Sequence, residues 1–399
     1  MADFLDKNLL ALYPAEDSGF PARFFPMRPY VKSLSLLNYA DACHSAGIKA
    51  AERHIRELVA AQKIDIVLVC PFASDYQLSV DFYTSLRRLA KVVFWFADDP
   101  LYFNSYNRWY AHGADAVITT DPSALPEYAA LGIPAVLCND LTATNKYAPV
   151  GAEKDTDVCF IGDARKRGRR EFLDFLRAGG IKVTVYGQGS ENGFLPPDKV
   201  SETLCRSRIN LNFSGVGEAD WKTGGEPPLG GGRQNTGRPR EIALTGAFCL
   251  TEFSPGLEMV FPAGLMDSFK TREELLEKVK FYLANADKRE TLAAAAHKYA
   301  LANFPEEVYL PRLFTEVAAA LAAPRSPASA APPSGFKARE VNSLTFSFFV
   351  MLKRGALLPA LGVLPLLFRR GPAAFLAGFP AGLLRALARL PGKLAGGRA

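Results

Sequence analysis

The chain has 399 residues, enough for about two to three compact domains. Its composition, 49% hydrophobic and 22% charged with a mean hydropathy of +0.02, is that of a folded chain and excludes a disordered, collagen-like or polytopic membrane protein. The net charge of +6 is unevenly spread: residues 323–399 carry eleven Lys/Arg against one acid, Glu340, a net +10, which leaves −4 on residues 1–322. A weakly acidic body without a basic, aromatic-studded face argues against nucleic-acid binding.

In chain order, Met1–Asp6 has acids where a signal peptide needs bases and no apolar run behind them, which predicts a cytoplasmic chain. Leu9–Tyr13 reads as a weak first strand. Ile64–Cys70, Val92–Phe96, Ala116–Thr119 and Ala135–Cys138 follow as apolar strands, with amphipathic stretches such as Tyr39–Ala61 and Pro122–Leu131 between them. Continuous apolar strands separated by helices predict a parallel sheet covered on both faces. After the loop Asn139–Asp155 a second series runs through Val158–Gly162, Lys182–Tyr186, Ile209–Phe213, Ala247–Thr251 and Leu265–Phe269, and helices at Glu273–Ala284, Asp287–Ala302 and Glu306–Ala322 close the body.

The fold class is therefore α/β, two Rossmann-like domains in tandem with a cleft between them. We expect a first Rossmann-like domain over residues 1–140, a second with closing helices over 141–322, a Pro/Ala/Ser linker over 323–336 and a basic apolar tail over 337–399. The six cysteines form no C-x-x-C pair, and Cys70, Cys138, Cys159 and Cys249 fall inside strands as small hydrophobes, which predicts a reduced compartment.

The tail has charge-free runs at Val341–Leu352, Gly355–Phe368 and Gly371–Leu384, of 12, 14 and 14 residues. A spanning helix needs about 20. Pro359, Pro365, Pro372 and Pro380 are expected to break any continuous helix. The tail thus reads as an amphipathic segment that associates with an anionic membrane surface on the inner face, with a helical hairpin packed on the body or a partner-binding segment as the alternatives.

Ligands of doubly wound sheets sit outside the carboxyl ends of the strands. There, Ile161-Gly162-Asp163-Ala164-Arg165-Lys166-Arg167-Gly168-Arg169-Arg170 follows a strand and opens a helix, and glycine, helix-terminal N–H groups and Arg/Lys together suit a phosphate; a solvated basic helix start is the plain alternative. Tyr186-Gly187-Gln188-Gly189 and Asn212-Phe213-Ser214-Gly215 end the next two strands at the same edge. Arg238-Pro239-Arg240-Glu241 begins a short helix stopped by Gly246, before a strand ending in Thr251-Glu252. A carboxylate there can accept from a ribose diol and the neighbouring arginine can hold a diphosphate, or the two form a surface ion pair.

The segments FIGDARKRGRREFLDFLRAGGIKVTVYGQG, LNFSG and GRPREIALTGAFCLTEFSPGLEMVF, and more weakly VVFWFADDP and DAVITTD, resemble bacterial GT-B glycosyltransferases of the spore-maturation-protein-like group, related to the glycosyltransferase group 1 family. The resemblance covers roughly residues 60–320. It implies that Glu241 binds the donor ribose and that Arg238 stands at the family arginine three residues before it. It also implies a retaining, metal-independent transferase with no cofactor besides its donor. Two positions depart from the family: Arg233 stands where related enzymes often have a second glutamate, and Asp17-Ser18-Gly19 replaces a glycine-rich first loop.

In the first half, Asp98 and Asp99 follow a strongly apolar strand, so either can bind an acceptor hydroxyl or act as base, or cap the helix expected at Leu101–Tyr110. His44, His54, His112 and His297 are scattered, which predicts no metal site. Gly215–Gly237, with eight glycines around Trp221, is expected to close over the donor or to be plainly disordered. The resulting reading is transfer of a sugar from a nucleotide-diphosphate sugar to a bacterial glycan, lipid-linked glycan or protein. The alternatives are a nucleotide-sugar 2-epimerase and a noncatalytic nucleotide-sugar-binding protein. Donor contacts are assigned to Gly162, Arg165, Tyr186, Gly187, Asn212, Ser214, Arg238, Glu241 and Glu252.

Overall fold

The computed structural model describes residues 4–14, 20–71, 78–138, 146–166, 168–216, 226–324 and 335–388. The loop Asp17-Ser18-Gly19, residue Arg167, the tip of the glycine-rich segment with Trp221, most of the Pro/Ala/Ser linker and the chain beyond residue 388 lie outside the described residues.

The first sheet comprises β1 (Asn8–Tyr13), β2 (Ser33–Asn38), β3 (Ile66–Val69), β4 (Lys91–Phe96), β5 (Ala116–Thr119) and β6 (Ala135–Leu137), in the order β2-β1-β3-β4-β5-β6. The second comprises β7 (Thr156–Ile161), β8 (Val183–Tyr186), β9 (Ser207–Asn212), β10 (Cys249–Glu252) and β11 (Asp267–Phe269), in the order β8-β7-β9-β10-β11. All neighbouring strands pair in parallel. In both sheets the strand order reverses beside the first strand, so each has its switch point there.

The unbroken apolar strands follow from burial on both faces. Leu10, Leu12, Val67, Val69, Val92, Phe94 and Phe96 enter one core, while their alternating neighbours Leu9, Ala11, Ile66, Leu68, Val93 and Trp95 enter the other. The first core is covered by the helices Tyr39–Ala46 and Ile48–Ala61, the second by the helix Glu306–Ala322 through Leu310, Leu313, Phe314 and Val317. That last helix follows the second sheet in sequence yet packs on the first. The helices Arg272–Ala284 and Ala286–Asn303 stay with the second sheet through Leu275, Val279, Tyr282 and Ala293.

Two local expectations need correction. The strand β2 has no counterpart in the sequence reading, because SLSLLN is an edge strand only half buried along its length. The expected helix Tyr39–Ala61 divides at Gly47, whose φ of +88° stops the first helix. All six cysteines are free and buried.

The tail is part of the first domain rather than an appendage. Its helices Phe336–Lys353 and Pro372–Ala388 form a hairpin, joined by the short helices Leu357–Leu361 and Leu364–Phe368. Phe336, Val341, Leu344, Met351, Ala360, Val363 and Leu367 share a single core with β1, β3 and β4. The expected break at Pro380 does not occur: the proline is accommodated inside Pro372–Ala388. Contact in the hairpin is close because Gly378 and Gly382 lie against the partner helix. A Cβ on Gly378 would sit 2.2 Å from the Ala338 carbonyl oxygen, and one on Gly382 2.5 Å from that of Asn342. No described helix is long and apolar enough to cross a membrane.

Because both glycines face backbone that cannot swing aside, Gly378→Leu or Gly382→Leu must separate the two helices. We expect either to lower stability by about 1–3 kcal/mol, the usual cost of overpacking. Chemical denaturation and faster proteolysis after residue 335 are the measurements; an unchanged denaturation midpoint would show that the seam tolerates separation.

Candidate functional site

The strand order of the second sheet opens a crevice between the carboxyl ends of β7 and β9. On the β7 side, Gly162 donates its N–H to the Tyr186 carbonyl at 2.8 Å, and Ala164 to that of Gln188 at 2.9 Å, so the first two strand-end loops form one unit. Gly187, with φ +115°, is required there, since a Cβ on it would lie 2.3 Å from the Gly162 carbonyl oxygen. Arg165 crosses this unit against Gly189 and grips Asp163 through Nε and Nη2 at 3.1 and 3.2 Å. This pair holds the Asp163 carboxyl below its ordinary range, yet the Arg165 side chain stays half exposed and able to change partner.

Arg169 begins the helix Arg169–Ala178 and is buried. Its guanidinium donates to the carbonyls of Asp163, Phe213 and Gly215 at 3.1, 3.4 and 3.3 Å and lies 5.7 Å over the Phe160 ring. It thereby joins the loop after β7 to the loop after β9. Burial lowers its pKa, and three carbonyls with one ring compensate the charge in place of a carboxylate.

On the β9 side, Asn212 donates to Thr251 Oγ1 at 2.8 Å and accepts from Thr236 Oγ1 at 2.8 Å. Glu252, at the end of β10, is buried; its Oε2 accepts from the Ser214 and Gly215 N–H groups at 2.9 and 3.2 Å, and its other oxygen pairs with Arg233. Arg233, where a second glutamate is common in the resembling family, is here the counter-charge of Glu252. Ser214 donates its hydroxyl to the Phe253 carbonyl at 2.8 Å. The glycine-rich segment folds back on itself at its described ends: Gln234 N–H meets the Ser214 carbonyl and Val216 N–H that of Gly232, both within 3.0 Å. Arg238 and Glu241 pair across one turn of the helix Arg238–Leu244, both partly exposed.

The first sheet meets this edge through the ends of β4 and β5. Asp98 has a left-handed backbone (φ 55°, ψ 38°) and caps nothing with its side chain; its carboxylate accepts from Gln234 Nε2 at 2.7 Å. Asp99 is wholly buried and accepts from Asn107 Nδ2 at 2.9 Å, Tyr128 OH at 2.7 Å and Thr119 Oγ1. Burial pushes its carboxyl up to about 7, opposed by those three donors. Asp121, also buried, accepts the Asn235 N–H at 2.7 Å. Asn104 Nδ2 reaches the Pro227 carbonyl at 2.9 Å.

The structure thus gathers Gly162, Arg165, Gly187, Asn212, Ser214, Arg238, Glu241 and Glu252 at one sheet edge, with Tyr186 contributing its backbone carbonyl. Of the two acceptor-side carboxylates, it turns Asp98 to this edge and Asp99 into the core. Sequence reasoning placed Arg169 in the phosphate-like loop without giving it a role, and missed Gln234, Asn235 and Thr236. Only Arg169 had a visible signal, as the first helical residue of that segment. Among the described residues no group of three or more His, Cys, Asp or Glu can hold a metal ion.

Asp99→Ala strands three buried donors, and we expect it to lower stability by about 2–4 kcal/mol. Asp98→Gly relieves a left-handed residue worth about 1 kcal/mol, so its denaturation midpoint should stay level or rise. The fold binds the Asp99 proton more tightly than the unfolded chain does, so this group's contribution to stability falls as pH rises from about 4 to about 7 and is constant above. Urea titrations across that range should show a shallower pH dependence in Asp99→Asn than in the wild type.

Residues 165–305 match the family described as glycosyl transferase-like. No curated protein matches the chain. Among solved structures, Anabaena HepE in complex with UDP is similar, with a TM-score of 0.58 at 10% identity over 78% of this chain and 100% of that one. HepE with UDP-glucose gives 0.55 at 11% over 78% and 99%. HepE with UDP and glucose gives 0.55 at 11% over 78% and 100%. At such identity the likeness is one of fold, and it agrees with the tandem Rossmann-like sheets expected from the sequence. The chain thus has two parallel sheets in the GT-B type of fold, and residues 165–305, in the second of them, match the glycosyl transferase-like family.

Proposed function

We propose that the protein moves a sugar from a nucleotide-diphosphate sugar to an acceptor hydroxyl. One observation carries this reading: Arg165, Arg169 and Arg238 stand with the backbone of Gly162 and Ser214 around the switch point of the sheet that matches the glycosyl transferase-like family. Arg165 and Arg238 are held only by local acids, Asp163 and Glu241, which a diphosphate can replace. That Anabaena HepE, of the same fold, was solved with UDP and UDP-glucose supports a nucleoside diphosphate in this crevice.

In the transfer, the bond from the anomeric carbon to the diphosphate oxygen breaks and a bond to the acceptor oxygen forms. The departing diphosphate gathers negative charge, which Arg165, Arg238 and the N-terminus of the helix Arg169–Ala178 stabilise. Glu241, freed from Arg238, accepts from the ribose diol. Asp98 lies on the acceptor side and takes the acceptor proton; Asp99 acts as a positioning residue that fixes the Asp98 loop through Asn107, Thr119 and Tyr128. The transfer is metal-independent and retains the anomeric configuration, as the family resemblance implies. We further propose that the protein works as a peripheral protein on the inner membrane face, using the bases of its tail.

Thermal shift against a panel of nucleotide sugars, followed by transfer assays with glycan and lipid-linked acceptors, tests the reading. Transfer unaffected by EDTA is expected, with the product anomer read by NMR. Epimerised donor, or binding without turnover, would replace it. Arg238→Ala and Glu241→Ala should abolish transfer and weaken donor binding about 10- to 100-fold, the loss of a charge-assisted bond of about 1.5–3 kcal/mol, while the free protein melts as the wild type does. Wild-type turnover in both variants would remove the site assignment.

A further inference from the structure

A cavity of about 170 Å³ lies where the tail meets the first domain, lined by none of the residues of the candidate site. The helix Ile48–Ala61 contributes Lys49, Glu52 and Arg56, the start of the helix Val80–Leu86 contributes Ser79 and Asp81, and the turn after Leu364–Phe368 contributes Arg369 and Arg370. Four cations therefore face two acids. Glu52 is buried and already occupied, accepting from Lys49 Nζ at 2.6 Å and from Ser79 Oγ at 2.9 Å. Asp81 is largely exposed and accepts one Arg370 amine at 2.9 Å; the other goes to Glu340 at 2.8 Å. Arg56 is held by the Ser85 hydroxyl and lies 4.9 Å over the Phe82 ring, with no carboxylate partner among the described residues. Arg369 makes no ion pair among the described residues and is exposed. Among the described residues the cavity thus keeps two cations without carboxylates, beside room for more than a single water.

The segment that leads into Arg369 is apolar on its outside. Leu357, Leu358, Leu361 and Phe368, on the short helices that join the hairpin, are exposed, Leu358 by 79% and Phe368 by 69%. Lys353 and Arg354 stand just before them, and no acid occurs anywhere in residues 341–399. An acid-free segment with exposed leucines, joined through Phe368 and Arg369 to a cavity with more cations than acids, is complementary to the two layers of an anionic bilayer surface, acyl chains and phosphates.

We propose that this cavity binds the phosphate of an anionic lipid headgroup, with Arg56 and Arg369 as its donors, while Leu357, Leu358, Leu361 and Phe368 enter the interface. The proposal rests on the peripheral-membrane reading and deepens it: a defined headgroup site replaces diffuse attraction between the tail and the surface.

The test is co-sedimentation of the full chain with phosphatidylcholine vesicles, alone and mixed with phosphatidylglycerol, at low and high salt. Arg56→Gln and Arg369→Gln are compared with Lys353→Gln, which removes an equal charge outside the cavity, and Leu358→Ser with Phe368→Ser tests the apolar segment. The wild type should sediment only with phosphatidylglycerol. Lys353→Gln should cost about fivefold in partitioning, the factor that about 1 kcal/mol per base gives; Arg56→Gln and Arg369→Gln should each cost clearly more, and the two apolar-segment variants should also release the protein. If the cavity variants match Lys353→Gln, the headgroup site is wrong although the membrane reading stands. If the wild type stays in the supernatant on anionic vesicles at low salt, the membrane reading falls and takes the site with it. A melting shift with free glycerol phosphate in a protein that ignores vesicles would assign the cavity to a soluble phosphate and overturn the lipid source. Melting curves of all variants confirm that each is folded.

Discussion

Four consecutive residues, Arg233 to Thr236, join the carboxyl edges of the two sheets, and the geometry of the cleft depends on them. Arg233 neutralises Glu252, Gln234 donates to Asp98, the Asn235 N–H goes to Asp121 and Thr236 donates to Asn212. Two of these contacts end on the second sheet and two on the first. Any opening of the cleft must therefore break the bonds to Asp98 and Asp121, both to carboxylates and so stronger than neutral ones. The strap can follow this path because Gly230, Gly231 and Gly232 just before it all have positive φ, between 57° and 74°, a run that side-chain-bearing residues do not sustain.

That strap also marks the limit of what the sequence discloses. The carboxyl-edge residues Gly162, Gly187, Asn212, Ser214 and Glu252 were legible because a strand end is a place the hydrophobic pattern locates directly. Arg233 to Thr236 sit in a glycine-rich stretch with no period, and their partners are 19 to 136 residues distant, so only the tertiary structure pairs them. Strand β2 was missed for a related reason, since an edge strand has one neighbour and half-buried side chains and so lacks the apolar run that revealed the interior strands. In the tail, Gly378 and Gly382 were the available signal for close helix approach, but prolines and bases drew the reading toward a membrane-surface segment and left the packed hairpin as an alternative.

Asp98 and Asp99 show how little residue type says about role. The two adjoin, yet a left-handed Asp98 turns one carboxylate toward the strap and buries the next among three donors. The cap alternative fails for both, because neither uses its side chain on the helix that follows. Had Asp98 adopted an ordinary extended cap conformation, its carboxylate would have bonded its own helix instead of Gln234.

The hairpin's interior decides which part of the tail is free for other contacts. Arg385 is buried against Asn342 Oδ1 at 2.9 Å and over the Phe346 ring, Arg370 is fixed by Asp81 and Glu340, and Arg339 pairs with Glu226. These bases are committed to the protein, so the net positive charge read from the sequence overstates what the tail presents outward. Spreading the two long helices apart in lipid would strip Arg385 from Asn342 and Glu340 from Arg370 in an apolar medium, a cost of several kcal/mol for each charge. The joining segment has no such groups: between Gly355 and Phe368 there is no charge at all, and its outward side chains are leucine and phenylalanine. The polar and glycine-mediated contacts within the hairpin are what leave this one segment, with the exposed Arg369 at its end, facing outward.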